Sequence, residues 1–417
     1  MFLLSILLKN LLKIGTLNII DVDGKTYRFV GSPSPEMTLR LHDRKVAWDI
    51  GWHSSLAMGE AYMDGRVTFE KGDIREFLKL VMANRNFYPR NNRMTLKRWL
   101  KRQTGHLFQH NPISRSRENV HHHYDLSGEL YDLFLDADRQ YSCAYFPTGT
   151  EDLETAQLLK KAHIAAKLCL KAGQRVLDIG CGWGGMALYL NRVAGVKVKG
   201  VTLSDEQLAV AKGRAAKSGV SNDVDFQLQD YRTVTERYDR VVSVGMFEHV
   251  GVPQYQTFFD TLYNVTTDDC VALLHTIGRS DGPGRTNSWV RKYIFPGGYS
   301  PALSEILPVI EQAGFYVTDI EILRLHYAKT LKHWWDRVQQ NRDKIIALYD
   351  ERFLRMWEFY LAASEWTFHY SDHVVFQIQL AKQQDAVPFT RDYIYEKERE
   401  LIAMDAAARA NEKLKLA

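Results

Sequence analysis

The sequence predicts an α/β protein: a doubly wound, mainly parallel sheet preceded by a smaller α+β domain. Three observations carry that prediction. From about Glu118 onward, short buried-strand runs alternate with helical stretches, the pattern of strands joined by crossover helices. The first of these strands, Arg175-Val-Leu-Asp-Ile179, leads directly into a glycine-rich turn, Gly180-Cys-Gly-Trp-Gly-Gly185, which is where such sheets receive nucleotides. Upstream, residues 16–51 read as short strands separated by turns.

In chain order, Met1–Ile14 is rich in Leu and Ile but interrupted by Lys9 and Lys13. Its apolar run is too short to span a bilayer and no small-residue cleavage site follows it. It reads as a short amphipathic helix that either packs on the first domain or touches lipid. Leu17–Asp21 and Thr26–Val30 flank Asp23-Gly24, a hairpin signal. Thr38–His42 and Lys45–Ile50 read as a second strand pair around Asp43, and Ser54–Met63 and Asp73–Met82 as helices. A helix with Glu151, Asp152 and Glu154 in its first turn runs to Lys171 and stops at Gly173, acids at a helix start being favoured by its dipole. A helix to about Val193 follows the glycine turn. Further strands are expected at Val196–Thr202, Val224–Leu228, Arg240–Val244, Val271–Thr276 and Tyr316–Leu325. After residue 330 the chain reads as largely helical, ending in a charged, exposed helix. The expected domains are 1–89 (α+β), 90–117 (basic linker), 118–390 (catalytic) and 391–417 (C-terminal helix).

Net charge is only +4 over 417 residues, yet Phe77–Arg117 holds no acidic residue. It carries Lys79, Arg85, Arg90, Arg93, Lys97, Arg98, Lys101, Arg102, Arg115 and Arg117, with Phe87, Tyr88, Trp99, Leu107 and Phe108 among them. Such a block suits an anionic surface, membrane or nucleic acid, or a solvated linker. The four cysteines, Cys143, Cys169, Cys181 and Cys270, form no CxxC pair, so neither a zinc site nor a disulfide framework is suggested and a reducing cytoplasm fits. Consecutive histidines, His121–His123, point in different directions on any regular element and lack ligand-spaced companions, so no metal is predicted.

Asp178-Ile-Gly180-Cys-Gly182-Trp-Gly184 is the core of the site. Glycines here let main chain approach a nucleoside, although a lone glycine turn is weak evidence. A dinucleotide reading wants an acid about twenty residues on. Here the second strand ends instead in Thr202-Leu203-Ser204, with Gln207 behind it. The third strand is followed by Gln229-Asp230-Tyr231, an acid for an adenine amino group and a ring for its face. Asp178 would repel a pyrophosphate but suits an ammonium. This favours S-adenosylmethionine and a class I methyltransferase.

The chain resembles the cyclopropane-fatty-acyl-phospholipid synthases from about Gly15 to Lys382. The phrases that carry the resemblance are Gln140-Tyr-Ser-Cys-Ala-Tyr-Phe146, Leu177-Asp-Ile-Gly-Cys-Gly-Trp-Gly-Gly185, Val201-Thr-Leu-Ser204, Gln229-Asp-Tyr231, Met246-Phe-Glu-His-Val-Gly251, Leu274-His-Thr-Ile-Gly278, Tyr293-Ile-Phe-Pro-Gly-Gly298 and His326-Tyr327 before Thr330-Leu331. It implies a Rossmann-like methyltransferase sheet preceded by a lipid-binding domain. It also implies methyl transfer from S-adenosylmethionine to a cis double bond, and ring closure after a bound bicarbonate removes a proton. By resemblance, the bicarbonate set is Cys143, Glu248, His275, Tyr327 and the Ile277 backbone. The cofactor set is Tyr141, Ser142, Asp178, Gly180, Gly182, Thr202, Leu203, Ser204, Gln207, Asp230 and Tyr231. The resemblance places the protein at the inner face of the membrane as a peripheral, cytoplasmic protein. It implies a phospholipid bilayer with anionic headgroups as partner rather than nucleic acid, and a homodimer. The chain departs from the family at Tyr360-Leu-Ala-Ala-Ser364, where many members end the phrase in cysteine, so thiolate chemistry there is excluded.

Strand order alone puts Glu248 and His275 at the carboxyl edge of the sheet. A buried anion needs several donors, and His275, Tyr327, the Cys143 thiol and the Ile277 amide are candidates. Aromatic faces stabilise a cation without reacting with it. Tyr145, Phe247, Tyr293, Phe295, Tyr299, Tyr327, Trp334, Trp335 and Phe368 are the available rings, most of them expected in core packing. Other readings stay open: a methyl-branching or methylene-forming lipid methyltransferase, an amine N-methyltransferase, or a lipid-binding scaffold with a relic site.

Overall fold

The computed structural model describes residues 1–85 and 126–416. The chain divides into two compact units: Met1–Gln103 with Arg285–Pro296 and Ala328–Asp372, and Thr104–Gly284 with Gly297–Tyr327 and His373–Ala417.

In the first unit, α1 (Phe2–Leu11) is followed by β1 (Thr16–Ile20), β2 (Thr26–Val30), β3 (Glu36–Leu41), α2 (Val46–Trp52), α3 (Ser54–Met63), β4 (Val67–Lys71) and α4 (Ile74–Arg85). The sheet order is β2-β1-β3-β4. The Asp23-Gly24 turn joins β1 and β2 in antiparallel register, Leu17 opposite Phe29. The expected strand at Lys45–Ile50 is instead helix α2. Asp43 Oδ1 accepts from the amides of Lys45 and Val46, so it acts as a helix cap rather than a hairpin turn. Val46, Ala47 and Ile50 then share a buried face at helical spacing.

The later segments of this unit include α10 (Ser288–Tyr293), most of α12 (His326–Gln340), α13 (Arg342–Leu348) and α14 (Glu351–Tyr370). They close on the N-terminal helices through polar contacts. Arg75 forms a two-pronged ion pair with Glu365 at 2.6 and 2.7 Å, and the Tyr62 hydroxyl donates to Glu358 at 2.7 Å. Gly59 leaves room for the indole of Trp289, whose Nε1 lies 2.4 Å from where a Cβ would stand. The continuous 118–390 segment expected from sequence is therefore interrupted: 285–296 and 328–372 pack with the N-terminal residues.

The second unit contains α5 (Gly128–Phe134), α6 (Leu153–Lys167), β5 (Arg175–Ile179), α7 (Gly185–Ala194), β6 (Lys197–Thr202), α8 (Asp205–Lys217), β7 (Val224–Leu228), β8 (Tyr238–Val244), α9 (Tyr255–Asn264), β9 (Thr266–Arg279), α11 (Leu303–Ala313), β10 (Tyr316–Leu323), β11 (His373–Ala381) and α15 (Asp392–Leu416). Its seven-stranded sheet has the order β10-β11-β9-β8-β5-β6-β7. Strands β5 to β9 pair in parallel, while β11 runs antiparallel to both β9 and β10. This is the doubly wound sheet the sequence predicts. Strand β11 was not expected. It is a central strand buried on both faces, and Gln377 and Gln379 within it mask the apolar run that would announce it.

Alternate residues along the strands feed two cores. Val176, Val242 and Leu273 join the helices α6, α7 and α15. Leu177, Val241 and Leu274 join α9 and α11. The C-terminal helix is not simply exposed: Ile394 and Leu401 are buried and Arg192 pairs with Asp405 at 2.6 Å. Helix α6 ends at Lys167, four residues earlier than expected, with Cys169 taking a left-handed φ of 50°. Among the described residues no helix is long and apolar enough to cross a membrane.

Candidate active site

The order of the sheet reverses between β5 and β8, since β6 and β7 lie to one side and β9 to the other. At such a switch point the connecting loops diverge and leave a crevice at the carboxyl ends of the strands. A pocket lies there, lined by Ile179, Gly180, Val201, Thr202, Leu203, Gln207, Gln229, Asp230, Tyr231, Arg232, Gly245, Met246, His249 and Val250. Six residues expected at the cofactor, Gly180, Thr202, Leu203, Gln207, Asp230 and Tyr231, line this cavity. Tyr141, Ser142, Asp178, Gly182 and Ser204 lie outside its lining.

The glycine turn differs in its two halves. Gly180 has φ +79°, and a Cβ there would stand 2.7 Å from Met246 Cβ, so Met246 fills that space. Gly182, at φ +54°, has nothing within 4 Å of a Cβ position and leaves the main chain open to a ligand. Ser204 caps α8, accepting from the Gln207 amide at 3.3 Å, and the Thr202 hydroxyl donates to Gln207 Oε1 at 2.9 Å. Asp230 is already engaged: Arg232 donates to Oδ1 at 2.8 Å and to Oδ2 at 2.6 Å, and the same guanidinium lies over the Tyr231 ring at 5.6 Å. An adenine amino group would share this carboxylate with Arg232.

Asp178 is 1% exposed and its Oδ2 has no hydrogen-bond partner among the described residues. Burial pushes its carboxyl up to about 7, opposed only by the charge of Lys160. A buried carboxylate without a partner is costly, and a ligand ammonium would relieve that cost. Open space at Gly182 together with the unpartnered oxygen of Asp178 fits the amino-acid end of S-adenosylmethionine.

Lys160 was not singled out from sequence. It is fully buried on α6 and donates to Gln140 Oε1 at 2.7 Å and Ser142 Oγ at 2.8 Å. Because Ser142 Oγ accepts from Lys160, its own proton is free to point elsewhere. Gln157, one turn earlier on the same helix, donates to the carbonyls of Gln140 and Ser142 at 3.1 and 3.0 Å. These two residues lock the Gln140–Cys143 segment onto α6. Burial lowers the Lys160 ammonium to about 7, against the charges of Asp136 and Asp138. A lysine amid the apolar and basic residues of α6 carries no signal that separates it from surface lysines. Only its burial reveals it. Tyr141 packs edge-on against Tyr131 with ring centres 5.5 Å apart.

A second carboxylate sits beyond the end of β8. Glu248 is 4% exposed. Its Oε1 accepts from the Ile277 amide at 2.6 Å, and its Oε2 is buried without a hydrogen-bond partner among the described residues. Burial pushes this carboxyl up to about 7. His275, on the β9 strand that also carries Ile277, stands opposite Val244 of β8 and its Nδ1 lies 3.1 Å from Gln377 Nε2. Burial, then the charges of Lys160 and Lys167, depress its pKa to about 3, so the imidazole is neutral. Cys143 is buried, and so is Tyr327 in the first turn of α12. The structure thus joins Glu248 and Ile277 directly, but the Ile277 amide that the resemblance gives to bicarbonate is donated here to Glu248.

Of the remaining rings, Tyr145 stacks on His163 and His326 at 4.3 and 5.2 Å, and Phe247 stacks on Tyr255 at 4.4 Å; both are buried. The Tyr299 hydroxyl donates to Glu305 at 2.8 Å. Tyr293, Trp334, Trp335, Phe368 and the half-buried Ser364 belong to the first unit, where the Tyr293 hydroxyl donates to Glu60 at 2.8 Å. In the basic stretch, Lys79 and Arg85 are on α4, Lys79 lying over the Trp366 ring at 5.2 Å. Arg90–Arg117 and His121–His123 lie outside the described residues.

Residues 112–378 match the mycolic acid cyclopropane synthetase family, and residues 3–93 match a domain of unknown function. The chain is 35% identical over 377 residues to a probable fatty acid methyltransferase of Pseudomonas putida, covering 87% of this chain and 92% of that one. It is 38% identical over 329 residues to the cyclopropane-fatty-acyl-phospholipid synthase of Escherichia coli (strain K12), covering 79% and 83%. A solved mycolic acid cyclopropane synthase complexed with SAH and CTAB matches with TM-score 0.61 and 33% identity, over 65% of this chain and 99% of that one. A doubly wound sheet with this crevice and these relatives defines an S-adenosylmethionine-dependent methyltransferase. Within that class, the chain belongs to the mycolic acid cyclopropane synthetase family.

Proposed function

We propose that the protein adds a one-carbon unit to the cis double bond of unsaturated phospholipid acyl chains, closing a cyclopropane ring, at the inner face of a membrane. The observation that carries this reading lies at the carboxyl edge of the sheet, where Asp178 Oδ2 and Glu248 Oε2 are buried without hydrogen-bond partners among the described residues. When bound, S-adenosylmethionine supplies an electrophilic methyl and bicarbonate supplies a base.

Asp178 would receive the cofactor ammonium, and Ser142, its oxygen held by Lys160, would turn its proton toward the cofactor's own carboxylate. Gly182 leaves the main chain open beside them. The buried surroundings keep out water, which would capture a carbocation on the lipid chain. The Glu248 side chain is fixed through Oε1 by the Ile277 amide, and its Oε2 would help hold the bicarbonate. A base held there would be placed to remove a proton from the newly added methyl, whose C–H electron pair would close the ring. Neutral His275 and the Tyr327 hydroxyl would be donors toward the anion, and the Cys143 thiol, which donates to the Ala144 carbonyl here, would turn toward it.

A second reading keeps cofactor and lipid but yields a methyl-branched or methylene product, in line with the relative named a probable fatty acid methyltransferase. Incubation with a defined monounsaturated phospholipid and methyl-labelled cofactor separates the two. Shielded ring protons in the NMR spectrum support cyclopropane formation. A vinylidene or branched-methyl signal supports the second reading, and no label in lipid overturns both.

A further inference from the structure

Eight of the nine tryptophans lie in the described residues. Trp183, Trp289, Trp334, Trp335, Trp357 and Trp366 are buried, whereas Trp48 and Trp52 are 59% and 66% exposed. These two sit one helical turn apart on α2, their rings stacked with centres 6.3 Å apart. Helix α1 packs alongside: a Cβ on Gly51 would stand 2.9 Å from Leu3 Cβ. Along α1, Leu4 and Leu8 turn inward, while Phe2 and Ile6 are 78% and 46% exposed. Two neighbouring helices of the first unit therefore present bare aromatic and aliphatic groups after their cores are already filled.

Charge identifies the occupant. Helix α1 has no acidic residue, and Lys9, Lys13 and Lys45 are exposed around the two helices, with no ion pair among the described residues. The one acid on α2, Asp49, is engaged by Arg66. A second copy docking through the same face would set these lysines against themselves. An anionic bilayer instead complements them, and indole rings favour the headgroup level. At ten residues, α1 is too short to span a bilayer and long enough to lie in its surface.

We propose that the paired outer faces of α1 and α2, with Trp48, Trp52, Phe2 and Ile6 as apolar anchors and Lys9, Lys13 and Lys45 around them, dock the protein on an anionic lipid bilayer. This rests on the reading that the substrate is a membrane phospholipid, and it assigns the approach to residues of α1 and α2.

The test is co-sedimentation of the full chain with vesicles of phosphatidylglycerol and phosphatidylcholine, for the wild type and Trp48→Ser/Trp52→Ser. Unchanged thermal unfolding and S-adenosylhomocysteine affinity report that the variant is folded. The double variant is expected to partition about tenfold to a hundredfold more weakly, from the apolar burial two indoles lose. Lys9→Gln and Lys13→Gln are each expected to weaken binding about fivefold on anionic vesicles and not at all on neutral ones. If the wild type binds no vesicle, the membrane-substrate reading itself falls. If it binds and the double variant binds equally well, this surface is overturned while that reading stands. A lipid-free change in oligomeric state on mutation overturns it in favour of an interface between copies.

Discussion

Two regions of the methyltransferase unit bury charge, and they treat it in opposite ways. At one end of α6, Lys167 pairs with Glu321 and donates to Gln377 at 2.8 Å. His163 contacts Glu321 and Glu398 at 2.6 and 2.9 Å. There burial pushes the Glu321 carboxyl up, but the His163 hydrogen bond and the Lys167 charge hold it well below the usual carboxylate range. At the sheet edge, Asp178 and Glu248 each keep a buried oxygen without a partner, and both carboxyls rise to about 7. A satisfied network stabilises a fold, and an unsatisfied one stores a cost that a ligand can remove. The contrast marks the two sheet-edge carboxylates as places where a ligand would lower the energy of the fold.

The sharpest way to break that contrast is Asp178→Asn. Cofactor affinity is expected to fall by about a hundredfold or more, read by calorimetry, because the buried ammonium loses its counter-charge. Apo stability should move the other way. The folded-state pKa of Asp178 lies above its ordinary 3.8, so its contribution is fully present below about pH 4 and is lost as pH rises through about 7. Replacement by Asn should flatten that decline and stabilise the apo protein at pH 8 by about 1–3 kcal/mol. In the paired region, Glu321→Gln is expected to cost about 3 kcal/mol of stability in denaturant titration with cofactor affinity unchanged. A large affinity loss there would erase the distinction. Lys160→Met lies between the two: cofactor affinity should drop about tenfold, with an alkaline shift in the pH profile as Asp178 loses its only opposing cation. The smallest effect is expected at Ser364→Ala on α14, within about 0.5 kcal/mol in stability and with unchanged lipid turnover.

The alternation of strands and helices and the glycine turn made the sheet legible in the sequence, because burial on both faces of a parallel sheet leaves continuous apolar runs. Strand β11 escaped because Gln377 and Gln379 interrupt its run, and two of their partners, Lys167 and Thr318, lie far away in sequence. Helix α2 escaped because Asp43 can end a hairpin or cap a helix with the same side chain. At the site, Asp178 and Glu248 were found as motif positions, whereas Lys160 was invisible: the charge of a buried lysine matters through neighbours contributed by other segments. The engagement of Asp230 by Arg232 was likewise hidden, although the two are only two residues apart.

The central claim is that the bare oxygen of Glu248 serves the proton-removing step and not cofactor binding. The most direct measurement is Glu248→Gln, assayed for S-adenosylhomocysteine affinity and for ring formation on a monounsaturated phospholipid, with dissolved carbonate supplied or stripped. Affinity should be unchanged, turnover should fall about 10²–10⁴-fold, and the carbonate dependence of the wild type should disappear in the variant. Full turnover in the variant, or wild-type turnover indifferent to carbonate removal, would contradict it.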